Sequence, residues 1–333
     1  MGRGGDADAM PDEFSLIERL FEPLAGPEGL GLRDDAAVLT PLPGRDLVLT
    51  KDAIAEGRHY LSSDPPDTVA KKLIRVNLSD LAAKGATPRG YLLSCAWSAE
   101  TPLDWMEAFA GGLKDDQSKF GLSLWGGDTI RVSGPSVFSL TAIGDVPSGQ
   151  MVTRAGAAAG DDLWVTGTIG DGALGLLAAQ GDYGATEPED RDYLISRYRL
   201  PQPPVAFGGK LAGLASAALD VSDGLLGDLD HLCAASQVGA RVDRSAIPLS
   251  QAFATCLASD EKYWELVYGG GDDYQILFAA SSKQRSTIES HAGEAGIRVH
   301  RIGALTDDHV NGVQVAGSDG QVQQFSRWGY RHF

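Results

Sequence analysis

The amino-acid sequence predicts an α+β protein of two domains. Its 333 residues exceed the usual size of one hydrophobic core, and 43% hydrophobic residues are enough to fill two. Strand-like runs outnumber helical ones over the first 150 residues, and a small-residue stretch, MVTRAGAAAG from Met151 to Gly160, marks the entry to a second domain. The expected division is a disordered segment over 1–12, a first domain over 13–150 and a second over 151–333.

Residues 1–12 are rich in Gly and Asp and carry too little apolar surface to order themselves. Phe14, Ile17, Leu20 and Phe21 recur as on a short helix that closes at Pro23 to Pro27. Asp34 and Asp35 precede an Ala-Ala-Val-Leu strand, and a second strand over Asp46 to Ile54 carries Asp52 among apolar neighbours. EGRHY, with His59, follows as a loop. The stretch DTVAKKLIRVNLSDLAAKGATP, Asp67 to Pro88, then reads as a buried amphipathic helix. Val69, Leu73, Val76 and Ala83 share its inner face, and Gly85 and Pro88 stop it. Asn77 and Asp80 fall on one face of that helix, where an unpartnered carboxylate is costly.

A strand over Tyr91 to Trp97 and a helix over Pro102 to Lys119 lead to LSLWGGDT, a short strand whose glycines let backbone approach a ligand while Asp128 stands at its end. A strand from Val137 to Val146 completes the first domain. In the second, a strand over Asp162 to Thr166 enters GTIGDGALG, where Gly170, Gly172 and Gly175 fit GxGxxG. The acids that follow, in TEPEDRD, lie in a polar loop and not at a strand end. That speaks against a nicotinamide site and leaves phosphate binding through the turn amides open. A polar connection over Gly181 to Pro204 and a helix through Leu214 come next. A strand then ends in Asp220, with Ser222 placed to cap the following helix and Asp223 in its first turn. GGGDDYQILF carries Asp272 and Asp273 from a glycine turn into a strand. A helix over Lys283 to Gly293 and strands over Ile297 to Ile302 and Val310 to Val315 precede an aromatic, basic tail.

A net charge of −17 argues against nucleic acid or an anionic membrane surface as partner. No apolar run is long enough to span a bilayer and the first residues lack the apolar stretch of a signal peptide, which predicts a cytoplasmic protein. Cys95, Cys233 and Cys256 lack CxxC spacing and read as buried thiols, and the histidines form no HxxxH or HExxH pair. These absences exclude the common zinc sites and leave hard cations held by carboxylates.

The isolated acids supply such ligands. Asp34, Asp35, Asp52, Asp80, Asp128, Asp220, Asp223, Asp272 and Asp273 occur at strand ends, beside glycine, or within apolar segments, which is not how surface acids are distributed. Converging carboxylates without His or Cys clusters select Mg²⁺, the ion that nucleoside triphosphate chemistry requires. No Walker A sequence and no VAIK, HRD and DFG set is present, so the nucleotide site belongs to another fold.

The segments RDDAAV, TKDAIAEGRHY, NLSDLAAKGATP, WGGDT, VTRAGAAAGDDLWVTGTIG, ALDVSDGL, GGGDDYQILF and GYRHF, in this order, resemble the thiamine-monophosphate kinase family. Its superfamily also holds aminoimidazole ribonucleotide synthetase and selenophosphate synthetase, and the resemblance runs from Phe14 to Phe333. It implies a two-domain synthetase-like architecture: an N-terminal α+β domain that pairs in a homodimer through a sheet or barrel, a C-terminal α/β domain, and active sites between the two. The implied reaction is ATP plus thiamine monophosphate giving ADP plus thiamine diphosphate.

By matched position, the resemblance makes Asp35, Thr50, Asp52, Asp80, Asp128 and Asp220 ligands of several Mg²⁺ ions, Asp223 a ligand of a further one, and Lys51 a ligand through its carbonyl alone. Gly127, Asp128, Arg154 and Ser222 would hold ATP, and His59, Asp272 and Tyr330 would contact thiamine monophosphate. Asp80, Asp128 and Arg154 would carry the transfer itself. The chain departs from the family's pattern at Arg33, where Gly is usual, at Lys51, where Thr or Ser is usual, and at Asp272, where Glu is usual. The rival readings are another ATP-dependent member of the superfamily, such as a ligase like aminoimidazole ribonucleotide synthetase, and a non-catalytic nucleotide-binding regulator.

Overall fold

The computed structural model describes residues 11–182, 187–317 and 322–324. By contacts the chain divides into two compact units: Met1–Thr40 with Lys51–Ile74 and Pro88–Ile143, and Pro41–Thr50 with Arg75–Thr87 and Gly144–Phe333.

The first unit opens with α1 (Glu13–Leu16), capped by Asp12, whose carboxylate accepts the Ser15 N–H; a π-turn and 3₁₀ turns then carry the chain to Leu32. Strand β1 (Arg45–Ala55), helix α2 (Pro66–Ala83), strand β2 (Thr87–Ser98), helix α3 (Leu103–Phe120), strand β3 (Ser123–Val132) and strand β4 (Val137–Pro147) follow, with residues 45–50 of β1, 75–83 of α2, Thr87 of β2 and 144–147 of β4 counted to the second unit. The strands form one sheet in the order β1-β4-β2-β3, with β2 and β3 parallel. Helix α3 presents Phe109 to an aromatic cluster. Trp97 meets Phe138 edge-on at 5.0 Å between centroids, and Phe109 lies 4.5 Å from Phe138. Helix α2 behaves as its periodicity requires: Leu73, Ile74, Leu78 and Leu81 are wholly buried, and Gly85 ends it in the left-handed region (φ +76°).

In the second unit, β5 (Asp162–Thr166), α4 (Asp171–Gln180), α5 (Pro188–Arg199), α6 (Val205–Gly208), β6 (Ala217–Val221), α7 (Leu225–Ser236), β7 (Gly239–Asp243), α8 (Gln251–Ser259), α9 (Trp264–Gly269), β8 (Gln275–Ala280), α10 (Arg285–Glu294), β9 (Val299–Thr306), β10 (Val313–Ala316) and β11 (Val322–Gln324) succeed one another. The sheet runs β11-β10-β7-β9-β5-β8-β6 and is antiparallel except where β10 joins β7. Both faces are covered. Leu163 and Val165 of β5 enter a core with α4, α7 and α8, whereas Trp164 between them enters one with Phe207, Phe278 and Ile288. Ala82 and Ala83, at the end of α2, belong to this second core. No described helix is long and apolar enough to cross a membrane.

Several expectations are corrected. Ala36 to Leu39 is not a strand; its Val38 N–H goes to the Glu28 carbonyl, and Pro41 and Pro43 interrupt any ladder beyond it. Asp128 does not end a strand, because β3 continues to Val132 and places Asp128 opposite Ser94 of β2. The Gly181 to Pro204 connection contains α5, which starts at Pro188, buries Leu194 and Tyr198, and sets Glu189 and Asp190 in its first turn. The helix expected through Leu214 is the single turn α6, followed by hydrogen-bonded turns. Residues 233–268, over which no element is expected from sequence, supply β7, α8 and most of α9. The expected disorder over 1–12 falls almost wholly outside the described residues, as does the aromatic tail with Tyr330.

Candidate active site

In the first unit a cavity of about 690 Å³ is lined by apolar Ile17, Phe21, Leu124 and Trp125 and by charged Asp34, Asp35, Lys51 and Asp128, among others. β3 brings Asp128 here through Gly126 and Gly127, and β1 brings Lys51. Gly127 is required by its surroundings: a Cβ at this position would stand 1.7 Å from the Leu93 carbonyl oxygen on β2, so no side chain fits without parting the strands. Asp128 accepts the N–H of Thr129 at 2.9 Å, and the Thr129 hydroxyl accepts from the buried indole of Trp97 at 2.7 Å, which fixes this part of the strand. Cys95 also lines the cavity. Burial, with a smaller contribution from Asp128, pushes its thiol well above the ordinary cysteine range.

Not every residue expected at the site reaches this cavity. Asp52 alternates with Lys51 along β1 and is not among the lining residues; its carbonyl accepts from the Ser139 hydroxyl at 3.3 Å. His59 turns back on its own loop, where its Nδ1 accepts the Ala55 N–H at 3.1 Å. Arg33 spends its charge on Glu22, 2.5 Å away, at an exposed position.

The second unit gathers a separate group. The hydroxyl of Thr50 donates to the Asp80 carboxylate, so the one acid on the inner part of α2 has its partner from β1. The Lys84 ammonium donates to the Ala218 carbonyl at 2.7 Å, two residues before Asp220 on β6. Asp80, Asp220 and Arg154 all lie within electrostatic reach of Lys84. Burial, and then Arg154, lower its pKa; the two acids act the other way.

The turn after β6 is organised by an acid that local spacing did not single out. Ser222 does not cap α7. The cap position is Gly224, and the carboxylate of Asp228, from inside the helix, accepts the N–H groups of Ser222 and Asp223 at 3.0 Å each. Burial pushes Asp228 up to about 7. The glycine turn 269–274 is bonded to the same loop, with Asp272 N–H to the Ser222 carbonyl and Tyr274 N–H to the Val221 carbonyl, both 2.8 Å. Asp272 and Tyr274 hold left-handed backbone (φ +65° and +52°), unusual for residues with side chains and concentrated at functional loops.

Asp273 decides what the GxGxxG turn does. Its carboxylate accepts the N–H of Gly170 at 2.8 Å and of Gly172 at 3.1 Å, so the amides open to phosphate in the sequence are already occupied. Beside it, buried Asp171 accepts hydroxyls from Thr168, Tyr193 and Ser250. Burial pushes Asp273 up to about 7 from an ordinary 3.8. The folded state therefore holds a proton that the unfolded chain releases between about pH 4 and 7, and this group's contribution to stability falls as pH rises through that window. Calorimetry from pH 4 to 8 is expected to show that decline in the wild type and a flatter profile in Asp273→Asn. The variant also carries a constant cost of about 1–3 kcal/mol for the lost acceptor. Parallel profiles would refute the assignment.

Among the described residues no three His, Cys, Asp or Glu side chains already converge at metal distance. What the chain offers is hard oxygen donors in small groups: Asp35 and Asp128 on one cavity, and Thr50, Asp80 and Asp220 in the second unit. Lys84 and Asp228 are the participants that sequence reasoning missed, and Asp273, singled out there as a candidate ligand, serves instead as an internal acceptor. Lys84 had a signal, since it stands four residues after Asp80 on the same helical face. Asp228 had none.

The family described as AIR synthase related protein, N-terminal domain, matches residues 33–146, and its C-terminal domain matches 158–316. A thiamine-monophosphate kinase of Caulobacter vibrioides is 43% identical over 94% of this chain and 89% of its own length. Among solved structures, the thiamine-monophosphate kinase from Stenotrophomonas maltophilia K279a superposes with a TM-score of 0.82 at 39% identity, covering 93% of this chain and 97% of that one. The structure of AaThiL complexed with AMPPCP and TMP superposes with a TM-score of 0.78 at 28% identity over 98% and 99%.

Proposed function

This chain belongs to the thiamine-monophosphate kinase family and is an enzyme with the two-domain α+β fold of AIR synthase-related proteins; from that premise we propose that it transfers the γ-phosphoryl group of ATP to thiamine monophosphate, giving ADP and thiamine diphosphate, the last step in making that diphosphate. The observation that carries this reading is the likeness, over nearly the whole of both chains, to a structure complexed with AMPPCP and TMP. The proposed compartment is the cytoplasm.

The oxygen donors fit Mg²⁺, which prefers carboxylate, hydroxyl and carbonyl ligands. Asp35, Asp52, Asp80, Asp128, Asp220 and Asp223, the Thr50 hydroxyl and the Lys51 carbonyl are the residues proposed to hold it. When bound, the ions neutralise phosphate charge and align donor and acceptor oxygens. The chain does the rest. Thr50 holds the Asp80 carboxylate in place by its hydroxyl, and Gly127 lets β3 present Asp128 without a side chain in the way. Arg154 offsets charge on the nucleotide, and Ser222 and Gly127 supply further contacts to it. Asp272, His59 and Tyr330 are the proposed contacts to thiamine monophosphate. Asp272 is held for that task by a backbone that only a tightly bonded loop sustains. No general base is required, because the acceptor phosphate is already an oxyanion near neutral pH.

Chromatography of a reaction with ATP, Mg²⁺ and thiamine monophosphate, beside controls with thiamine or no acceptor, tests the reading. Thiamine diphosphate formed only from thiamine monophosphate supports it; ATP consumed without that product, or not consumed at all, rejects it.

A homodimer through the four-stranded sheet is part of the same proposal. Its support is the face carrying Leu92 and Ile130, which are 41% and 51% exposed on β2 and β3. Light scattering is expected to give twice the chain mass of 35.0 kDa, and a monomer at working concentration would remove this part.

A further inference from the structure

Lys84 is held at three points. Its N–H donates to the Asp80 carbonyl at 3.1 Å, its carbonyl accepts the Val152 N–H at 3.2 Å, and its ammonium donates to the Ala218 carbonyl at 2.7 Å. Each bond lands on, or two residues before, a residue given a role above: Asp80 itself, Arg154 after Val152, and Asp220 after Ala218. The backbone of this residue thus joins the end of α2 to the segment before Arg154, and its side chain alone ties both to β6 at Ala218. Lysine is not needed for packing there, since partly burying an ammonium costs free energy that an apolar side chain avoids. Its ammonium bonds a carbonyl, while Asp80 and Asp220 act on it through space. The position one turn past Asp80, at a helix C-terminus, also suits a cation.

We propose that Lys84 is a positioning residue of the phosphoryl-transfer site: its ammonium, tied to the Ala218 carbonyl, holds the β6 segment that carries Asp220 to the end of α2 that carries Asp80, and sets a positive charge beside the two acids, favouring the anionic nucleotide. This rests on the function proposed above. A fixed cation beside carboxylates has a signature that mere bracing lacks. It opposes Mg²⁺ and assists polyphosphate, so its removal shifts the two affinities in opposite directions.

The test is calorimetric titration of the full-length wild type, Lys84→Met and Lys84→Arg, with MgCl₂ alone and with AMPPCP at fixed Mg²⁺. Lys84→Met is expected to bind AMPPCP about tenfold more weakly, the scale of one charge-assisted contact. It is expected to bind Mg²⁺ more tightly, by a few-fold, as the repulsion is relieved. Lys84→Arg is expected to recover most of the nucleotide affinity. Weaker binding of both ligands with a lowered melting temperature, or unchanged AMPPCP affinity in Lys84→Met, overturns the proposal. The wild-type product assay separates this from the parent reading. Thiamine diphosphate from the wild type with either of those outcomes removes Lys84 alone, whereas a wild type that makes no product removes the function on which it rests.

Discussion

Asp80→Asn is expected to lower turnover by roughly 10²- to 10³-fold, the scale of losing one preorganised electrostatic contact in a transfer reaction. The substitution keeps an oxygen that can accept from the Thr50 hydroxyl, and α2 stays packed through Leu73, Ile74, Leu78 and Leu81, so folding is barely touched. Stability is expected to change by less than about 1 kcal/mol, since an acceptor is retained at Thr50. Two measurements check this: steady-state product formation across a Mg²⁺ series, and a melting curve. Near-wild-type turnover at saturating Mg²⁺ would take Asp80 out of the catalytic group. A collapsed melting curve would mean that its role is structural.

Gly127→Ala is expected to act the other way, through the fold. The added Cβ meets the Leu93 carbonyl at 1.7 Å, and that oxygen belongs to backbone in the paired strand, which cannot rotate aside as a side chain can. Relief requires β2 and β3 to separate between the Leu93–Gly127 and Ser94–Asp128 pairs. The expected loss is on the order of 3 kcal/mol, the upper end of overpacking costs. Asp128 moves with the strand, so activity should fall with stability. Urea unfolding measures the first and the product assay the second. A variant as stable as wild type would show that the strands part here without penalty.

The elements that hold the principal acids were legible because their signals are local. Helix α2 with Asp80 follows from its apolar spacing and its Gly85 stop, and β1 with Asp52 and β6 with Asp220 follow from short apolar runs interrupted by an acid. The glycines before Asp128 announced a close backbone approach, and the structure names the atom approached, the Leu93 carbonyl. Ordered motifs along the chain pointed to the family that the full-length relatives show.

Other features depended on contacts between residues far apart in sequence. Asp273 fills the amides of Gly170 and Gly172 more than a hundred positions away, turning an apparent phosphate loop into an internal joint. Asp228 replaces Ser222 as the group that orders its turn, because a carboxylate from within α7 reaches the two amides before the helix can recruit a cap. Ala36 to Leu39 has strand-forming residues but joins no sheet among the described residues, since a strand needs a ladder of bonds to a neighbour and the Val38 N–H of this segment goes to a turn at Glu28. Sequence by itself thus determined which acids occur, the helices and strands that carry them, and the family. Tertiary structure alone decided which amides, hydroxyls and carbonyls those acids and Lys84 engage, because a hydrogen bond is fixed by proximity in space, and local spacing reports only on neighbours along the chain.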